Sequence, residues 1–73
     1  MGNFVSIFLE HGLNKKEVEA AYLLISEGLG NDEIAVRISR SLPTVKAYFT
    51  NIYRKFDVKG DREFLSLLLR KTG

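Results

Sequence analysis

The stretch SLPTVKAYFTNIYRKF, residues 41–56, holds a dense set of side chains that donate hydrogen bonds or carry positive charge. Its polar positions alternate with apolar ones at helical spacing, so one side of a helix would present the polar groups together. Lysine and arginine bind phosphates and guanine edges, and threonine and asparagine hydrogen-bond to bases or phosphates. This chemistry is suited to binding a polyanion rather than to breaking bonds.

Outside this stretch, few residues are suited to catalysis or metal binding. The chain has no cysteine and one histidine, His11, too few for a thiolate or histidine metal site. His11 falls between expected helices, where a hinge or capping role is expected. Glu17, Glu19, Asp32 and Glu33 are spaced as helix-cap and dipole partners, not as an acid–base pair. We therefore expect no enzymatic activity, no metal and no cofactor.

The size and charge of the chain favour a small soluble domain with a basic face. Its 73 residues suffice for one domain, and its apolar runs are too short to span a membrane. We expect a cytoplasmic protein without a membrane partner. Residues 1–36 hold two lysines against six carboxylates, whereas residues 37–59 hold six cations against one aspartate. This asymmetry fits a nucleic-acid-binding face or a solvated helix surface.

The sequence predicts an all-α fold of four helices, with no competing strand pattern. Residues 1–12 are expected to form a short N-terminal arm, helical or extended, and residues 13–73 the domain. Asn14 and Glu17 form a capping box that starts the first helix, and Gly28 ends it. The N-caps expected for the next three helices are Asn31, Ser41 and Asp61.

The third predicted helix, about residues 42–56, has a buried face and a free face. Pro43 falls in its first turn, where the missing N–H costs little. Its apolar residues recur every third or fourth position, which places them on one side. The core residues expected there are Val45, Phe49, Ile52 and Phe56. The first three are expected to pack against Ile34, Ala35 and Ile38 of the second helix.

A short helix, a tight connection and a longer basic helix make a helix-turn-helix, whose second helix enters the major groove of DNA. Such spacing also occurs in a generic helical bundle with a solvated face. Two roles stay open for Tyr48: its hydroxyl could contact a phosphate, or its ring could pack beside the core. The candidate DNA contacts are Ser41, Thr44, Lys46, Ala47, Tyr48, Thr50, Asn51, Arg54 and Lys55.

Two stretches resemble the LuxR/GerE-type (NarL/FixJ) helix-turn-helix domain. LNKKEVEAAYLLISEGLGNDEIAVRI, which starts at Leu13, is similar to the family's Leu-Thr-x-Arg-Glu-x-Glu-Val-Leu and Gly-x-Ser-Asn-x-Glu-Ile-Ala. The similarity continues without a gap to Val58. The residues that match the family's recognition-helix pattern are Ser41, Thr44, Val45, Lys46, Asn51, Ile52, Tyr53, Arg54, Lys55 and Val58.

The resemblance implies double-stranded DNA binding, transcription regulation and a dimer formed through the last helix. It implies that Lys46 is the recognition-helix lysine, with Ala47 and Thr50 at positions of base contact. Arg40 departs from the family, which prefers an apolar residue there, and Tyr48 replaces a frequent histidine. These departures bear on sequence specificity more than on the fold.

The last expected helix, residues 62–71, is apolar on more than one face, which often marks a contact surface. We expect a homodimer with Phe64, Leu67 and Leu69 at its interface. RNA polymerase or a regulatory domain are further candidate partners. The alternative is a protein-interaction module, a degenerate helix-turn-helix that pairs with another regulator or with polymerase. The operator, the sign of regulation and any attached receiver or sensor domain stay open.

Overall fold

The computed structural model describes residues 4–72, in which there are five α-helices and no strand. This confirms the all-α prediction and shows that residues 4–10 of the expected arm are helical. Residues 1–3 of that arm and residue 73 lie outside the described residues. The helices are α1 (Phe4–Glu10), α2 (Lys15–Glu27), α3 (Asn31–Arg37), α4 (Leu42–Phe56) and α5 (Asp61–Thr72).

Local capping groups set the boundaries of α2 and α4. The amide of Glu17 donates to Asn14 Oδ1 at 2.9 Å, and the amide of Asn14 donates to Glu17 Oε1 at 3.0 Å, which confirms the capping box. Gly28 ends α2 with φ 66°, a left-handed conformation that glycine adopts at little cost. Ser41 caps α4 as predicted, because its Oγ accepts the amide of Thr44 at 3.3 Å.

Two predicted N-caps are wrong by one residue. Helix α3 begins at Asn31 itself, after Gly30, whose amide donates to Glu33 Oε1 at 3.1 Å. Helix α5 likewise begins at Asp61, after Gly60. In both helices the polar residue that resembled a cap lies in the first turn. The acidic residues of these first turns, which include Asp32 and Asp61, interact favourably with the helix dipole.

Helix α4 is the centre of the packing, because α2, α3 and α5 all contact it. Its predicted apolar stripe is buried, and so are Ile34 and Ala35 of α3, while Ile38 is half-buried. Fixing one face of α4 in this way determines which face is left for a ligand. The buried stripe consists of Val45, Phe49, Ile52 and Phe56.

Helix α1 packs against α2 and shares the same core. Phe8 is fully buried, with its ring centroid 6.2 Å from that of Phe56 and 6.0 Å from that of Phe64. The His11 ring stacks on Phe56 at 4.1 Å, and its Nδ1 lies 3.0 Å from the carbonyl oxygen of Ile7. His11 thus caps the end of α1, in line with the expected capping role. A boundary between arm and domain at residue 12 stays a prediction.

None of the helices in residues 4–72 has the length and apolar character needed to cross a lipid bilayer.

Candidate nucleic-acid interface

The connection between α3 and α4, residues 38–41, is held by backbone hydrogen bonds. The amide of Arg40 donates to the carbonyl oxygen of Ala35 at 2.9 Å, and that of Ser39 donates to Val36 at 3.2 Å. Ser39 adopts a left-handed conformation with φ 57°, which turns the chain away from the axis of α3. The turn therefore fixes the direction in which α4 leaves α3.

The start of α4 carries two predicted phosphate contacts, Ser41 and Thr44. Their hydroxyl oxygens lie 2.8 Å apart, so one hydroxyl donates to the other. The proton of the second hydroxyl is then free to point outward. Pro43, which lies between them in the first turn, contributes no N–H of its own. The start of the helix is thus held by its own side chains and keeps one donor for a ligand.

The outer face of α4 comprises five of the predicted contacts, and all five side chains are exposed. At about 3.6 residues per turn, they point away from the buried stripe. The structure therefore brings them together on one surface, which agrees with the predicted division of α4 into two faces. They are Lys46, Ala47, Thr50, Asn51 and Arg54.

The hydroxyl of Thr50 is already used within the helix. Its Oγ1 donates to the carbonyl oxygen of Lys46 at 3.0 Å. Thr50 consequently presents oxygen lone pairs and a methyl group to a ligand, with no hydroxyl proton to donate.

The charges on this face are not neutralised within the described part of the chain. Among residues 4–72, Lys46 and Arg54 form no ion pair, whereas Arg37 on α3 does. The Arg37 guanidinium binds both carboxylate oxygens of Glu27, at 3.1 and 3.3 Å. The outer face of α4 therefore carries positive charge that a bound anion can neutralise.

Lys55, also predicted to contact phosphate, is engaged elsewhere. Its Nζ donates to Glu17 Oε1 at 2.7 Å and to the carbonyl oxygen of Gly12 at 2.9 Å. The Glu17 side chain is only 3% exposed, and a carboxylate buried to that degree needs a cationic partner. The phosphate role predicted for Lys55 does not fit this arrangement, because the side chain links α4 to the start of α2.

Two tyrosines of α4 lie beside the outer face rather than on it. Tyr48 is half-buried against the core, which favours the packing role among the two that the sequence left open. Tyr53 is also half-buried, and its ring lies 5.8 Å from that of Phe64. Burial, together with the negative charge of Asp61, raises the pKa of Tyr53 to about 12. Its phenol therefore stays neutral at physiological pH.

The predicted dimer residues on α5 are placed very differently from one another. Phe64 is fully buried in the core, Leu67 is half-buried, and Leu69 is 68% exposed. Leu65 is also exposed. An apolar groove of about 270 Å³ opens between α1, α2 and α5. It is lined by Phe4, Ile25, Leu65, Leu68 and Leu69.

A short helix, a fixed turn and a longer helix with an unneutralised basic face together define a helix-turn-helix domain. Residues 11–68 match the family model described as bacterial regulatory proteins, luxR family. The chain belongs to this family of DNA-binding transcription regulators, which confirms the resemblance inferred from the sequence. Helix α1 precedes the matched residues.

Curated relatives support the same assignment. The chain is 39% identical over 59 residues to the oxygen regulatory protein NreC of Staphylococcus haemolyticus (strain JCSC1435). The same values hold for NreC of Staphylococcus carnosus (strain TM300) and of Staphylococcus aureus (strain JH9). The match covers 81% of this chain and 27% of each relative, so the chain spans about a quarter of their length. No solved structure gave a significant match.

Proposed function

We propose that this protein binds double-stranded DNA sequence-specifically and regulates transcription, with α4 in the major groove. The outer face of α4 is the observation that carries the proposal. It is exposed, it is free of bulky apolar groups, and its cations have no counter-charge within residues 4–72. The major groove admits one α-helix, and its base edges distinguish all four base pairs.

The side chains of this face have complementary roles in the proposal. Lys46 donates to a guanine edge or a phosphate, and Arg54, nearer the end of the helix, binds a phosphate. Ala47 is small enough for close approach and offers a methyl group to thymine. Thr50 accepts from the amino group of adenine or cytosine, because its proton is used by the Lys46 carbonyl oxygen. Asn51 supplies both a donor and an acceptor.

We further propose that two copies pair through α5. The exposed leucines Leu65 and Leu69 are four positions apart and share one side of the helix. Acidic residues lie in the first turn of α5 and basic residues in the last. Antiparallel pairing of two α5 helices would therefore place opposite charges beside each other. Phe64 is left out of this contact because its side chain is buried within one copy.

The competing function is a protein-interaction module that pairs with another regulator or with RNA polymerase. Val36 favours it, because this apolar side chain on α3, the first helix of the helix-turn-helix, is 81% exposed. We keep DNA binding as the main proposal, since the basic outer face has no use in that alternative. We propose no enzymatic role. We propose that the protein binds DNA in the cytoplasm. A regulatory domain is a further candidate partner.

Selection of binding sites from random duplex DNA, followed by a salt titration on the selected site, tests the proposal. Counterion release predicts that log K falls with log salt by about 0.9 for each neutralised phosphate. A dimer predicts inverted half-sites with centres about 10 bp apart or closer. Binding that is absent at about 50 mM salt, or that does not respond to salt, would contradict DNA binding. Selection of a single unrepeated half-site would contradict the dimer alone.

A further inference from the structure

Arg40 is a cation on the helix-turn-helix that neither the sequence reasoning nor the proposed function uses. It lies in the turn between α3 and α4, directly before Ser41, the N-cap of α4. Its side chain is exposed. Its backbone is held in place by the hydrogen bond from its amide to the carbonyl oxygen of Ala35 at 2.9 Å. The side chain therefore starts from a fixed point, two residues before the first residue of α4.

The neighbouring arginine, Arg37, is paired with a carboxylate of the same protein. Arg37 binds both oxygens of the Glu27 carboxylate, so its charge is neutralised within the protein. Among residues 4–72, Arg40 forms no ion pair. Both arginines are charged, but the guanidinium of Arg37 is paired with Glu27. The guanidinium of Arg40 therefore has its charge and its planar set of donors available for an external anion.

The position of Arg40 also decides what it would meet. When the start of a recognition helix lies in the major groove, the turn before it lies at the rim, where the phosphates are. Arginine binds phosphate oxygens through two parallel hydrogen bonds. Contacts of this kind fix the register of the protein on the duplex without reading its sequence.

We propose that Arg40 is a phosphate-binding residue that anchors the start of α4 at the rim of the major groove. This inference rests on the proposed function, because it requires DNA in contact with α4. It adds a phosphate contact by Arg40, in the turn before α4, while Lys55, near the end of α4, is bound to Glu17. Arg40 then raises the affinity for every DNA duplex by the same factor and does not contribute to sequence selectivity.

The test compares three variants, Arg40→Gln, Arg40→Lys and Lys59→Gln, by DNA affinity across a salt series. Lys59 lies in the turn between α4 and α5 and is exposed, so Lys59→Gln removes the same charge from another place. Each protein is titrated with the selected site and with a duplex of unrelated sequence. Thermal unfolding of each variant checks that the fold is retained.

We expect Arg40→Gln to reduce the salt slope by about 0.9 for each copy bound, on both duplexes, and to leave the ratio of the two affinities unchanged. Arg40→Lys and Lys59→Gln should keep the wild-type slope. An unchanged slope in Arg40→Gln, an equal loss in Lys59→Gln, or a changed affinity ratio would overturn the inference while DNA binding stands. Absence of salt-dependent binding by the wild-type protein would overturn the proposed function as well.

Discussion

Lys46 and Lys55 lie on the same helix, and the structure gives them opposite surroundings. Lys46 is exposed on the outer face of α4 and has no ionic partner within residues 4–72. Lys55 contacts the buried carboxylate of Glu17 and the carbonyl oxygen of Gly12. The comparison teaches that a positive residue on α4 is available to an external anion only when no buried carboxylate of the same protein requires it.

The two ends of α4 differ in the same way. At its start, the hydroxyls of Ser41 and Thr44 satisfy each other and leave one proton free. At its end, Phe56 is covered by His11 and Phe8, and Lys55 is bound to α2. The end of α4 therefore holds the helix in the domain, and its start and outer face are left for a ligand.

The largest expected effect comes from Lys55→Met, which tests the structural half of the comparison. Loss of the ammonium group leaves Glu17 buried with only the Asn14 amide as partner. Breaking a buried pair costs about 3–5 kcal/mol. Because the Lys55 side chain is 34% exposed, we expect about 2–3 kcal/mol less stability. Urea unfolding followed by circular dichroism measures this loss.

The matched control for Lys55 is Lys15→Met, at an exposed lysine that forms no ion pair within residues 4–72. A surface change of this kind should alter stability by less than about 0.5 kcal/mol. If Lys55→Met instead keeps full stability and lowers the salt slope of DNA binding, then Lys55 contacts phosphate and the comparison with Lys46 fails.

An effect of intermediate size is expected from Lys46→Ala, which tests the ligand-binding half. Loss of a contact with a base should weaken binding to the selected site by roughly 1–3 kcal/mol and relax the preference at one base pair. Stability should change by less than about 0.5 kcal/mol, because the side chain is exposed. Competition titrations against single-base variants of the site provide the measurement. If Lys46→Ala weakens binding equally to every DNA sequence, Lys46 contacts a phosphate rather than a base.

The smallest effect is expected from Ser41→Ala at the start of α4. Loss of the cap leaves the amide of Thr44 without its side-chain acceptor, which costs about 1 kcal/mol of stability. The midpoint of thermal unfolding should fall by a few degrees. Ser41→Asp restores an acceptor and serves as the control for stability. If Ser41→Ala lowers DNA affinity more than it lowers stability, the Ser41 hydroxyl contacts phosphate.

The division of α4 into two faces could be predicted because helical periodicity is a local property. Val45, Phe49, Ile52 and Phe56 recur at the spacing of one face, and the polar residues left over form the other. The caps at Asn14 and Ser41 were also predictable, since each involves a contact across three residues.

The surroundings of Lys55 could not be predicted in the same way. Its partner Glu17 lies 38 residues away in the sequence, and the capping box that identified Glu17 does not reveal that its carboxylate is buried. One signal was present: Glu17 lies three positions before Ala20 and four before Ala21 on α2, and both alanines are buried. A helical count from these apolar residues places Glu17 on the core side of α2.

The burial of Phe8 was missed for a related reason. A seven-residue segment is too short to be recognised as a stable helix from its own sequence. Its stability comes from aromatic contacts with Phe56 and Phe64, which belong to distant parts of the chain. Phe64 was assigned to a dimer surface because nothing local showed that Phe8 would lie against it.

The bond from Lys55 to Gly12 has a consequence for the order in which the domain assembles. The capping bonds form within one turn, so they can appear in an isolated helix on a submicrosecond timescale. The Lys55 bond joins residues 43 apart and exists only after α1, α2 and α4 have docked. Closing a loop of that length costs chain entropy before any contact offsets it. The bond from the Lys55 ammonium group therefore shows that α1, α2 and α4 have docked, and it lies on the helix whose outer face is proposed to bind DNA.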